Sequence, residues 1–90
     1  MTRDELSELM TDLGYEDSIV FENPSYLDAI IGYSDSGRVC YDFEKMIESA
    51  MNNSDMTYEE AIEFIEYNTI RSLPYQSSEK RPIIIYPFAE

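Results

Sequence analysis

The sequence contains no histidine, a single cysteine, only three glycines, and six basic residues against 19 acidic ones. Without histidine there is no Ser-His-Asp or Cys-His nucleophile pair, no imidazole general base and no histidine metal ligand. Gly14, Gly32 and Gly37 stand alone and cannot make the glycine-rich cradle that phosphate-binding loops require. Cys40 cannot form an internal disulfide, and its place in the strand-like run 38–41 reads as a buried structural thiol in a reducing compartment. No apolar run approaches the roughly 18 residues of a membrane span, and residues 1–5 have none of the basic and apolar regions of a signal peptide. The expectation is a cytoplasmic protein that does not act at a membrane.

Two further chemistries fail on pattern. The clusters Asp35-Ser36-Gly37 and Asn52-Asn53-Ser54-Asp55 offer oxygen ligands, but neither fits the twelve-residue calcium loop with its central glycine and terminal glutamate. A pair of carboxylates suffices for glycoside hydrolysis, yet among so many acids some pair always falls at a suggestive distance, and the chain is too small to enclose a sugar cleft. The reading is therefore no enzyme, no cofactor and no metal.

What is abundant is negative charge, unevenly placed. Residues 1–66 carry 17 of the 19 carboxylates against three bases, Arg3, Arg38 and Lys45, a local net of −14. Repulsion at that density opposes compaction and favours a positively charged partner over nucleic acid or an anionic surface. Apolar residues make up 43% of the chain, including eight tyrosines and four phenylalanines, which argues for an ordered fold. Ninety residues make one domain, 1–90, burying roughly 60 to 65 per cent of the unfolded surface around a modest core.

Local signals outline the elements. Thr2 and Glu5 form a capping box, and Leu6, Leu9, Met10 and Leu13 recur at helical spacing until Gly14. Residues 18–21 read as a short strand stopped at Asn23-Pro24. Residues 26–33 and 38–41 flank Ser34-Asp35-Ser36-Gly37 and predict a β-hairpin. Asp42 caps a second helix with Phe43, Met46, Ile47, Ala50 and Met51 on one face. Thr57 and Glu60 open a third, whose buried stripe is Tyr58, Ala61, Ile62 and Ile65 and which frays near residues 68–72 before Pro74. The run 82–87, rich in β-branched residues between prolines, predicts a terminal strand. The expected fold class is α+β: a small antiparallel sheet, made of the hairpin and terminal strand, with about three helices on one face.

The candidate site is the acidic side of the second and third helices, Glu44, Glu48, Glu59, Glu63 and Glu66. Helical residues three and four apart lie about 5 to 6 Å from one another, so these carboxylates repeat at separations comparable to successive phosphates. A merely solvated face would interleave lysine with glutamate, whereas the stretch from Glu59 to Glu66 holds no base. The tyrosines offer aromatic anchors among the carboxylates. In the segment 67–75, Arg71 is placed to complement the helix dipole, and Asn68 or Thr69 to bond local backbone.

The stretch 29–46, followed by 56–75 from Met56-Thr57-Tyr58-Glu59-Glu60 through Leu73-Pro74-Tyr75, resembles a group of small acidic bacterial proteins of unknown function associated with Gram-positive genomes and mobile elements. That group implies no activity and no site residue. In size and acidity the chain also resembles phage-encoded inhibitors that imitate DNA, of the anti-CRISPR and anti-restriction kind, a likeness of composition without a shared motif. Two functional readings stand side by side. One is an acidic interaction module that occupies the nucleic-acid-binding surface of a basic protein, without touching nucleic acid itself. The other is a homodimeric structural or regulatory protein, joined through Ile83, Ile84 and Ile85, with no link to nucleic acid.

Overall fold

A computed structural model describes residues 1–22 and 24–88. Its elements are α1 (Arg3–Asp12), β1 (Ile30–Tyr33), β2 (Val39–Asp42), α2 (Phe43–Ser54), α3 (Tyr58–Phe64) and β3 (Ile83–Ile85). The expected α+β class is what the chain adopts, with β1 and β2 forming the hairpin and β3 joining it to complete a three-stranded sheet in the order β1-β2-β3.

Three side-chain caps start the helices where the sequence places them. Thr2 and Glu5 make a reciprocal capping box on α1, Thr57 and Glu60 do the same on α3, and Asp42 accepts from the Lys45 N–H at 3.0 Å to begin α2. Because Asp42 is also the last residue of β2, strand passes into helix with no loop between them. Along β2, Val39 and Tyr41 are buried while Cys40 and Asp42 are only partly so, which sets one sheet face against the helices. That face meets Leu6 and Met10 of α1, Phe43, Met46, Ile47 and Ala50 of α2, and Ala61 of α3 in a single core, which Ile65 extends beyond α3.

Four expectations need correction. The terminal strand pairs with β2 in parallel, with Cys40, Tyr41 and Asp42 opposite Ile83, Ile84 and Ile85, so the sheet is mixed although its hairpin is antiparallel. The chain between β2 and β3 crosses one face through α2 and α3, and a helical crossover of that kind returns a strand in the same direction. Residues 18–21 form no strand: the Ile19 N–H donates to the Lys80 carbonyl at 3.0 Å, and the Phe21 N–H to the Tyr41 hydroxyl at 3.2 Å. Their donors are satisfied by a loop and a side chain rather than a ladder.

The first arm of the hairpin begins at Ile30 rather than Tyr26, because Tyr26 takes a left-handed conformation (φ 51°) and Leu27–Ala29 forms a 3-10 turn. Finally, the third helix does not fray. It widens into a π-helical segment, Ile65–Thr69, then tightens into a 3-10 segment, Ile70–Tyr75, that accommodates Pro74 near its end. The Asn68 amide donates to the Phe64 carbonyl, the Ser72 hydroxyl to the Thr69 carbonyl and Arg81 to the Leu73 carbonyl. Asn68 thus bonds local backbone as expected, while buried Thr69 instead lies 3.2 Å from the Tyr26 hydroxyl.

Candidate interaction surface

All five candidate glutamates are exposed, Glu44 and Glu48 on α2, Glu59 and Glu63 on α3, and Glu66 in the π segment. The link between the two helices is Tyr58, whose hydroxyl donates to both oxygens of Glu44 at 3.1 and 3.2 Å. Accepting that hydrogen bond, together with its negative charge, lets Glu44 raise the phenol pKa of Tyr58 above its ordinary value. Tyr58 was expected in the buried stripe; it is instead 46% exposed, since the first residue of α3 faces the start of α2 rather than the core.

Glu63 and Glu66 border an open depression of about 480 Å³ together with Tyr67 and Arg71. The Arg71 guanidinium stands 4.9 Å from the centre of the Tyr67 ring, a cation–π arrangement in place of the expected dipole complement. Glu66 also acts on the far end of the chain. The Tyr86 ring packs 4.8 Å from Phe43, and its phenol pKa is raised by partial burial and, secondarily, by the charge of Glu66. The fold therefore gathers Glu44, Glu63 and Glu66 with Tyr58, Tyr67 and Tyr86 around the junction of α2, α3 and the segment after β3. Glu48 lies one turn beyond Glu44 and Glu59 one turn before Glu63, each continuing its row with no hydrogen-bond or ion-pair partner from another element among the described residues.

Arg71 borders Glu63 and Glu66, and Lys45 follows Glu44 on α2, yet neither base pairs with a candidate glutamate among the described residues. Among the described residues the two ion pairs are Arg3 with Glu22 and Lys80 with Asp17, and neither involves a candidate glutamate. Arg38 and Arg81 spend hydrogen bonds on the backbone carbonyls of Arg81 and Leu73. Sequence reasoning offers all eight tyrosines as aromatic anchors but does not say which of them join the carboxylates. Tyr86 and Tyr58 are far from each other along the chain, and no local periodicity signals that they share a surface.

Cys40 is partly buried rather than enclosed, and burial raises its thiol pKa, with a small opposing pull from Arg38. No group of His, Cys, Asp or Glu among the described residues is arranged to hold a metal ion, and no helix there is long and apolar enough to cross a membrane. Compared with protein-family models, curated proteins and solved structures, the chain matches none.

Proposed function

We propose that this chain is an acidic interaction module that occupies the nucleic-acid-binding surface of a basic partner protein, of the kind encoded by mobile elements. The observation that carries the reading is the run of exposed carboxylates on α2 and α3, none of them in an ion pair among the described residues. Self-repulsion along such a face destabilises its helices, and a cationic partner relieves it. Tyr58, Tyr67 and Tyr86 supply the flat, amphipathic contact area on which arginine and lysine side chains pack.

The test is affinity capture from lysate of the native source at low and high salt, followed by competition with duplex DNA for the purified partner. Capture of a basic protein that is released by salt and displaced by DNA supports the reading. Reversal of Glu44, Glu59 and Glu63 to lysine should abolish capture while the circular dichroism spectrum is retained; undiminished capture after that change would sink the idea.

A second reading is favoured by the other end of the chain. β3 lies at the edge of the sheet; of the expected contact residues Ile85 is exposed while Ile83 and Ile84 are half-buried, and Tyr86 and Phe88 are exposed after it. An apolar edge of this kind can join a second copy into one homodimeric sheet. Light scattering separates the readings, because a dimer that persists at every salt concentration favours the second and a monomer removes it.

A further inference from the structure

A different surface, on the opposite edge of the sheet, carries an inference that does not rest on the α2 and α3 carboxylates. β1 is an edge strand, and Ile31 sits in an irregularity of the ladder with no residue opposite it on β2. An edge strand presents backbone N–H and C=O groups that another strand can pair with. The strand is short and its irregularity at Ile31 blunts the edge in part, but Ile30-Ile31-Gly32-Tyr33 carries no lysine or proline, and Ile31 and Tyr33 are 49% and 48% exposed. Between this edge and α1 runs an apolar groove of about 190 Å³, floored by Leu6, Met10 and Val39 and rimmed by Leu9, Ile31 and Tyr33. It has room for a single aliphatic side chain.

Charge decides what can enter. Residues 4–37, which include nearly all of α1 and the whole of β1, hold nine acids and no base. Glu5 and Asp12 lie one helical turn before and after Leu9, so two carboxylates flank the rim on that side, with Met1 also lining the groove near Glu5. Arg3 is committed to Glu22, and the ammonium of Met1 is close enough to Glu5 to help lower its pKa, after the two hydrogen bonds from Thr2. A second copy of this chain would bring its own acidic α1 against the first, so the edge is ill suited to self-pairing.

We infer that the β1 edge and the α1/β1 groove receive an extended basic segment of a partner protein. That segment adds as a strand beside Ile31, places an aliphatic side chain in the groove against Leu6 and Val39, and sets lysine or arginine on either side toward Glu5 and Asp12. Backbone pairing supplies a register, the groove selects an apolar residue at alternate positions, and the acids select the flanking charge.

The experiment titrates the full chain with a short synthetic peptide of alternating valine and lysine and follows backbone amide shifts, beside a comparator of alternating glycine and lysine with the same charge. The expected result is a shift pattern centred on Leu9 and residues 30–33, with the valine peptide about tenfold tighter than the glycine one. Ile31→Lys, at an exposed position that leaves the core intact, should weaken the valine peptide about tenfold, whereas Glu63→Gln with Glu66→Gln should leave the valine-over-glycine ratio unchanged. Equal affinity for the two peptides, or shifts confined to α2 and α3, would overturn the inference. So would a dimer of the free chain that Ile31→Lys converts to monomer, because the edge would then belong to a second copy. The ratio of the two peptides reads the groove, and salt-sensitive capture reads the α2 and α3 face, so either proposal can fail while the other stands.

Discussion

The ring of Tyr15 lies directly against Gly37, so that a methyl group at residue 37 would come 2.1 Å from Cδ1 of the tyrosine. The contact joins the segment after α1 to the turn of the hairpin, and it is reinforced by the Ser18 hydroxyl, which donates to the Gly37 carbonyl. Gly37 meets two requirements at once, a positive φ of 83° and a backbone close enough for a ring to cover it.

Gly37→Ala should therefore lower stability by about 2 to 4 kcal/mol, from left-handed strain together with displacement of the Tyr15 ring. Gly14→Ala is the control. Gly14 has a similar φ of 90° but nothing within 4 Å of the added methyl, so only the conformational cost of about 1 kcal/mol applies. Urea denaturation of the two variants measures the difference, and equal losses would show that the Tyr15 contact is immaterial.

Tyr26 and Thr69 share a buried hydrogen bond at 3.2 Å that pins the π segment to the turn before β1. Tyr26→Phe should cost about 1 to 2 kcal/mol, because it leaves the Thr69 hydroxyl buried without that partner. Adding Thr69→Val removes the stranded hydroxyl and should recover part of the loss. A double variant whose destabilisation equals the sum of the two single ones would mean that the hydroxyls do not interact.

The two capping boxes should give stability a dependence on acid pH. Glu5 and Glu60 have pKa values lowered mainly by hydrogen bonds from their capping threonines' backbone N–H groups. A carboxyl whose folded pKa is depressed contributes stability that is present above its unfolded value, about 4.3, and is lost as pH falls through the lower folded value. Glu5→Gln with Glu60→Gln should flatten that dependence in denaturation curves taken between neutral and strongly acid pH. An unchanged dependence would place the acid sensitivity elsewhere. At neutral pH, Thr57→Ala should cost about 1 kcal/mol through loss of the cap on α3.

Dependence on alkaline pH has the opposite origin. Burial raises the phenol pKa of Tyr41 and of Tyr26, in each case against a smaller lowering by a hydrogen bond. A raised folded pKa gives stability that is complete below the unfolded value of about 10 and is lost as pH rises through the folded value. Tyr26→Phe and Tyr41→Phe should consequently remove phenolate absorbance only from the part of an alkaline titration that accompanies unfolding. Ionisation of either phenol with the fold intact would contradict its burial.

Helix starts were legible in the sequence because a cap acts within one turn: Thr2 with Glu5, Asp42, and Thr57 with Glu60 each name their own helix. The strand expected at residues 18–21 was misread for a related reason. A short apolar run specifies an extended backbone but not the neighbour that completes a ladder, and here Lys80 and Tyr41 took the available donors. Of the candidate surface, the five glutamates were visible as charge at helical spacing. Their grouping with Tyr58, Tyr67 and Tyr86 was not, since Tyr86 reaches Phe43 only after β3 has docked.

The sequence by itself determined the helices, the turn at residues 34–37, the single core and the negative charge of the surface, because caps, periodicity and composition act locally or through sums over the chain. Tertiary structure alone decided that β3 runs parallel to β2, that the third helix widens through a π segment to bring Thr69 beneath Tyr26, and that Tyr15 closes over Gly37. Each of those arrangements joins residues distant along the chain, whose mutual burial and hydrogen bonding count only once the intervening chain has folded back.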